Sequence, residues 1–243
     1  MLIVTVLKQS KKFTTKHAQW IHKQFGQHES VCLTDAKHID GVRTAPLLHS
    51  FPGWWSKIEL FNPDHPILGD QDLLYFDIDM VITGDITPLF QAQEFTMLSG
   101  LSFKNKPASG LMFIPCAIKK QVWEAFLANP QKHIDECVVP ENWGDQGFIS
   151  SVTQPKEWQK ELPNTIYSYI IDIATPTMLG YDPERSTGMG TGVPPEGAIV
   201  VCFHGYPSPW KTGFSWVPYF SLKEKVSGKI KAVRLWLRAQ KKR

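Results

Sequence analysis

Apolar runs and polar punctuation alternate along this chain, and the run lengths predict its elements. LIVTVL (2–7) and SVCLTD (30–35) are β-branched apolar runs of strand length. Between them, TTKHAQWIHKQFG (14–26) opens on threonine capping chemistry and closes on Gly26, which predicts a helix with a defined stop. Strand, helix and strand in one short stretch make a βαβ unit, and that unit implies a parallel sheet and an α/β fold. GWWSKIELF (53–61) has helical length and lies between Pro52 and Pro63. LLYF (73–76) reads as a short, wholly apolar strand, with TMLSG (96–100) and LMFIP (111–115) as two more. IKKQVWEAFLANP (118–130) has the spacing of an amphipathic helix, with Ile118, Val122, Ala125 and Phe126 on one face. AIVVCF (198–203) is a late buried strand. There is no repeat and no dividing linker, so the pattern predicts a single domain over 1–220 and an appendage over 221–243.

One run breaks its own pattern. In LLYFDIDMVITGDI (73–86), Asp77 and Asp79 interrupt a stretch that is apolar on both sides. A solvated turn capping a helix would account for two aspartates, but it fits poorly between two buried runs. In open α/β sheets, ligands bind outside the carboxyl ends of the strands. Asp77 and Asp79 follow LLYF, and His204 follows AIVVCF, so neighbouring parallel strands would deliver all three to one rim. Extended backbone would turn Asp77 and Asp79 to one side and Ile78 into the core. Two carboxylates and an imidazole form a partial shell for a divalent cation. Carboxylate oxygen suits Mg²⁺ or Mn²⁺, and the imidazole tilts the choice towards Mn²⁺. The competing reading of His204 is a satisfied structural histidine.

The strand followed by DxD and GDI resembles the nucleotide-sugar site of GT-A glycosyltransferases. Further stretches resemble glycosyltransferase family 8 and the glycogenin-like proteins, in the same order: WWSKIELF (54–61), ASGLMFIP (108–115), NWGDQGFIS (142–150) and FHGYPSPW (203–210). The resemblance runs from about residue 2 to residue 210. It implies a Rossmann-like, mostly parallel sheet flanked by helices, and transfer of a sugar from a nucleotide-sugar donor, a UDP-sugar above all, with retention at the anomeric carbon. It also implies roles. Asp77, Asp79 and His204 would hold the metal, with Asp77 also near the ribose-diphosphate. Lys57 would touch the donor, beside Ser109 and Gly110 on the strand next to the sugar. Asp145 would bind donor-sugar hydroxyls and Gln146 would sit by the reacting carbon, while Leu7 and Asp35 would line the uridine pocket. Ser208 stands where the family has a diphosphate-binding lysine, and Lys211, three residues on, would substitute for it. The acceptor, whether a glycan, a lipid-linked sugar or a protein, is not legible.

Composition narrows the rest. The chain has 243 residues, 42% hydrophobic and 20% charged, an ordinary globular balance. Its net charge of +3 is uneven. Residues 223–243 carry nine Lys/Arg against one Glu, a balance of +8, which leaves −5 for the body. A basic tail with Ile230, Val233, Leu235, Trp236 and Leu237 reads either as a helix on an anionic membrane surface or as a solvated helix. The acidic body argues against nucleic acid as a partner. The start, MLIVTVLK, lacks a basic leader and a secretory apolar core, and no run is long enough to span a bilayer. The expected setting is the cytoplasm, peripheral at most to the inner membrane surface. Cys32, Cys116, Cys137 and Cys202 are far apart and read as small apolar residues in a reducing compartment. STGMGTGVPPEG (186–197) has no strand before it and carries Pro194-Pro195, so it reads as a loop, with a lid over the donor as its functional version. Trp54 and Trp55 could stack on a sugar, but beside Ile58 and Leu60 they read as core; Asp145-Gln146 reads as a rival helix cap, and His17 and His22 as structural. Two other functions stay open. One is a haloacid-dehalogenase-like phosphatase, whose DxD normally follows the first strand. The other is a non-catalytic glycan- or nucleotide-binding module.

Overall fold

The computed structural model describes residues 1–100, 106–140, 142–175, 190–205 and 207–221, with Lys223, Val226 and Ile230 beyond them. Most of the expected basic helical tail, and residues 186–189 of the expected loop, therefore lie outside the described residues. Residues 190–197 form no helix or strand, as the loop reading requires. The chain forms two compact units. The first comprises Met1–Ile78 and Thr87–Pro163, and the second Asp79–Ile86 and Asn164–Arg243.

Twelve strands are described: β1 (Leu2–Leu7), β2 (Ser30–Thr34), β3 (Thr44–Pro46), β4 (Leu73–Phe76), β5 (Met80–Ile82), β6 (Thr96–Leu98), β7 (Ala108–Ile114), β8 (Val138–Val139), β9 (Asn142–Trp143), β10 (Lys156–Glu157), β11 (Ile166–Ser168) and β12 (Val200–Cys202). The α-helices are α1 (Thr15–His22), α2 (Cys116–Leu127), α3 (Pro130–Glu136), α4 (Gly144–Val152) and α5 (Trp158–Glu161). The first unit is built on a seven-stranded sheet in the order β10-β6-β7-β4-β1-β2-β3. Only β7 runs against its neighbours, β4 and β6; the other pairs are parallel. Successive residues of a strand face opposite sides. Leu2 and Val4 of β1, with Leu73 and Tyr75 of β4, turn to a core shared with Trp55, Ile58, Val122, Phe126 and Phe148. The opposite face meets the α1 side, where the Phe25 and Phe76 rings lie 5.2 Å apart.

Both faces of the sheet are thus covered, which is why its strands read as continuous apolar runs. On α2 the buried side chains are Lys119, Val122, Trp123 and Phe126, while Ile118 and Ala125 are only partly buried. The expected stripe is therefore rotated. A buried lysine is stable there because its ammonium donates to the carbonyls of Leu68, Gly69 (3.2 Å) and Gln71 (2.6 Å), ordering the turn that launches β4. Past Asn129, whose side chain caps Lys132 N–H at 3.1 Å, Pro130 starts α3 instead of simply ending α2.

Segment 53–61 differs from expectation in kind. It is a nine-residue 3₁₀ helix, long for its type, that buries Trp55, Ile58, Leu60 and Phe61 and leaves Trp54 exposed. Buried Glu59 accepts the Leu48 and His49 N–H groups at 2.6 and 2.9 Å. Cys116 is exposed, unlike the other three cysteines, because it opens α2.

The second unit holds a three-stranded sheet, β11-β12-β5. Here the expectation of one sheet fails. MVI (80–82) reads in the sequence as the far side of an interrupted run. It is a strand of its own, and it takes β12 as an antiparallel neighbour, Met80 opposite Cys202 and Ile82 opposite Val200. AIVVCF is therefore not a strand of the main sheet. Beside β12, Tyr169 stacks on Phe203 with centroids 4.4 Å apart, and Phe214 stacks on Trp216 at 5.6 Å.

His22 joins α1 to the sheet: its Nε2 pairs with Thr5 Oγ1 at 2.9 Å and its Nδ1 with Ser30 Oγ at 2.8 Å. Burial lowers its pKa to about 4. A histidine whose pKa is depressed by folding stabilises the protein above its unfolded value of about 6.5, and that stability is lost as pH falls from there towards 4. Thermal unfolding followed from pH 7 to pH 4.5 is expected to show a loss on the order of 2 kcal/mol from this source. His22→Gln should lessen the slope by its own share, and an unchanged slope would remove His22 as a contributor.

Candidate functional site

A buried charge cluster stands at the carboxyl end of β4, wholly within the first unit. Asp77 is the residue after the strand, and the antiparallel β7 fixes its backbone, for Asp77 N–H donates to the Gly110 carbonyl at 2.7 Å. The 3₁₀ helix supplies Lys57. Its ammonium lies 3.2 Å from Asp77 Oδ1 and 3.4 Å from Asp145 Oδ2, and donates to Ser109 Oγ at 3.1 Å. Ser109 passes the polarity on by donating to Asp145 Oδ2 at 2.6 Å. The Tyr75 hydroxyl donates to Asp77 Oδ1. Four elements thus converge: the 3₁₀ helix, the end of β4, β7 and the first turn of α4.

Burial decides the electrostatics. The Lys57 side chain is 11% exposed and that of Asp145 is 7%, while Asp77 keeps 33%. Burial is the largest influence on Lys57 and pulls its pKa down, but the charge of Asp145, then that of Asp77, and hydrogen bonds to both, more than offset it. Lys57 is therefore held as an ammonium, with a pKa above the ordinary lysine value. Among the described residues both bonds to the Asp77 carboxylate fall on Oδ1, which leaves Oδ2 for a ligand.

Residues 78 and 79 form a turn, not the extended segment expected, though Ile78 is buried as predicted. Asp79 belongs to the second unit and leads into β5. Because β5 and β12 are antiparallel, the start of β5 and the end of β12 coincide, so Asp79 and His204 belong to the same end of this pair. Antiparallel pairing thus does for these two what parallel strands were expected to do. His204 Nε2 lies 2.7 Å from Ser168 Oγ, and burial lowers the imidazole pKa to about 4, keeping it in the neutral form that a metal requires. Among the described residues no three His, Cys, Asp or Glu side chains already form a metal-holding group.

The other predicted residues are scattered. Asp145 lies in the first turn of α4 but caps nothing, since Trp143 is the cap position and the carboxylate turns to Lys57 and Ser109. Gln146, the next residue, is half-buried. Leu7 keeps no exposed surface and is core, contrary to its expected place in a pocket wall. Asp35 is exposed, accepts Gln9 N–H at 3.0 Å and so ties the chain after β1 to the end of β2. Lys211 is exposed one 3₁₀ turn beyond Ser208, its N–H bonded to the Ser208 carbonyl at 3.0 Å. The phosphatase alternative loses ground, because the aspartates follow the fourth strand and not the first. Sequence reasoning misses Tyr75 and Ser168. Tyr75 was findable, since it lies two residues before Asp77 and so on the same side of a strand; nothing in the sequence ties Ser168 to His204.

Removing the cation from this cluster leaves two carboxylates facing each other. Lys57→Met is expected to cost about 3 kcal/mol in urea unfolding, and adding Asp145→Asn should restore part of it. Equal stability of Lys57→Met and the wild type would mean that the ion pairs do not hold the site together.

No protein-family model matches the chain, and no curated protein does. Solved structures are similar to it. The glycosyltransferase GlyE of Streptococcus pneumoniae TIGR4 aligns over 96% of this chain at 16% identity with a TM-score of 0.57, and the chain spans 63% of that protein. The bifunctional glycosyltransferase WbbM aligns over 93% of this chain and 49% of its own, at 10% identity and a TM-score of 0.51. The galactosyltransferase LgtC, in complex with donor and acceptor sugar analogues, aligns over 86% of this chain and 89% of its own, at 13% identity and a TM-score of 0.50. At such identities the likeness establishes the fold: this chain has the α/β fold of the GT-A glycosyltransferases.

Proposed function

We propose that the protein is a glycosyltransferase that moves a sugar from a UDP-sugar to an acceptor with the help of Mn²⁺, with retention at the anomeric carbon. The observation that carries this reading is the Lys57–Asp77–Asp145–Ser109 cluster at the carboxyl end of β4, in a chain with the GT-A fold. It agrees with one neighbour, LgtC, whose structure holds donor and acceptor sugar analogues.

The residue types suit a divalent cation, which takes carboxylate oxygen and neutral imidazole. Asp77 offers Oδ2, Asp79 follows two residues on, and His204 is neutral and oriented by Ser168. In this reading Asp77, Asp79 and His204 hold Mn²⁺, with Mg²⁺ as a weaker substitute. When bound, the cation offsets the negative charge that builds on the leaving diphosphate. The chain's own groups do the rest. Lys57 keeps its charge between the Asp77 and Asp145 carboxylates and holds both in place beside the donor. Lys211 takes the place of the family lysine on the diphosphate, and Asp35 binds the uridine end. Ser109 and the Gly110 backbone line the sugar, and Asp145, fixed by Lys57 and Ser109, accepts from sugar hydroxyls. Gln146 stands at the anomeric carbon. Groups fixed before the donor arrives need little reorganisation as charge develops, and this is how such a site lowers a barrier.

The test is a thermal-shift and turnover screen of nucleotide sugars with and without Mn²⁺. UDP and at least one UDP-sugar are expected to raise the Tm only when Mn²⁺ is present. Asp79→Ala should abolish that response while leaving the unliganded Tm within a few degrees. The proposal falls if no nucleotide or nucleotide sugar stabilises the wild type in a Mn²⁺-dependent way.

A further inference from the structure

Two indoles of the first unit stand exposed, on the same segments that supply Lys57 and Asp145. Trp54 is 53% exposed and Trp143 is 43% exposed, with ring centroids 6.5 Å apart and planes inclined at 36°. Side chains this large and apolar are ordinarily withdrawn from water, so a neighbouring exposed pair is informative where a lone one is not. Both are tied by short backbone to the charged residues. Trp54 precedes Lys57 by three residues in a 3₁₀ helix, where positions i and i+3 eclipse, so the two share a face. Trp143 precedes Asp145 by two, with Gly144 between them at φ +60°. A Cβ on Gly144 would lie 3.0 Å from Trp54 Nε1, so the glycine lets the indole lie over the start of α4.

The exposed halves of two tryptophans amount to roughly 250 Å². A stable protein partner needs about 800 Å² on each side, so the patch has the size of a small ligand. Its chemistry is flat and apolar, and it adjoins Lys57 and Asp145 along the chain. A ligand that matches has an apolar face and a polar rim, which describes a pyranose ring, with C–H groups on its face and hydroxyls at its edge. With Asp145 and Ser109 assigned to the donor sugar, the indoles are left for the second saccharide.

We propose that Trp54 and Trp143 form a stacking platform for a pyranose ring of the acceptor. This rests on the transferase reading, and it narrows the acceptor to one that presents a saccharide. Saturation-transfer NMR titrations with lactose, maltose and cellobiose as probes test it, alongside Tm shifts with UDP and Mn²⁺. The wild type is expected to transfer saturation to the ring C–H protons of at least one disaccharide. Trp54→Ala and Trp143→Ala should each weaken that binding on the order of ten-fold, while Trp54→Phe, which keeps an aromatic face, retains most of it. The platform is overturned if none of the three disaccharides binds wild type that responds to UDP with Mn²⁺, or if the alanine variants bind as wild type does. Weakened UDP binding in those variants, with disaccharide binding intact, would assign the pair to a base and also overturn it. Disaccharide binding through the tryptophans without any response to UDP and Mn²⁺ would support the platform while removing the transferase reading.

Discussion

Everything at the candidate site of the first unit depends on holding one positive charge out of water. Lys57 has little solvent to stabilise its ammonium, so Asp145, Asp77 and Ser109 must do so. That requirement fixes three carboxylate and hydroxyl groups that belong to different elements. It also accounts for how the elements pack. The 3₁₀ helix must bring Lys57 up to β4, β7 must run antiparallel to place Ser109, and α4 must begin where Asp145 can reach. Removing any one would leave a buried group without its counterpart.

The elements of the main sheet are legible in the sequence because both of its faces are buried, and continuous apolar runs such as LIVTVL and LLYF fit little else than a covered strand. Asp77 is legible for the opposite reason, as a charge where burial forbids one without compensation. Lys57 and Asp145 are visible only through family resemblance, since a lysine in a short helix and an aspartate near a helix start are ordinary surface features. Their burial is a tertiary fact. The three-residue strand MVI is not legible either, because so short a run has no period to measure, and the separate sheet of β5 and β12 is lost with it. Leu7 shows the reverse error. A position at a strand end suggests a pocket wall, but packing on both sides leaves it no surface.

Antiparallel pairing of β5 with β12 gives Asp79 and His204 a common address that strand direction alone would not have predicted. The parallel pairing of β12 with β11 on its other side puts His204 near Ser168. Residue type and residue position therefore carry different parts of the answer. The types DxD and His point to cation chemistry, and the topology determines which of them share a strand end.

The winding of the segment Gly53–Phe61 has a further consequence. At about 2 Å per residue and about 120° per step, a 3₁₀ helix spans more length than an α-helix of equal count, and it repeats its faces every three residues. Inserting or deleting one residue between Trp54 and Lys57 would turn them apart by about 120° and shift one along the axis by about 2 Å. Along this stretch the number of residues is therefore as strongly constrained as their identity.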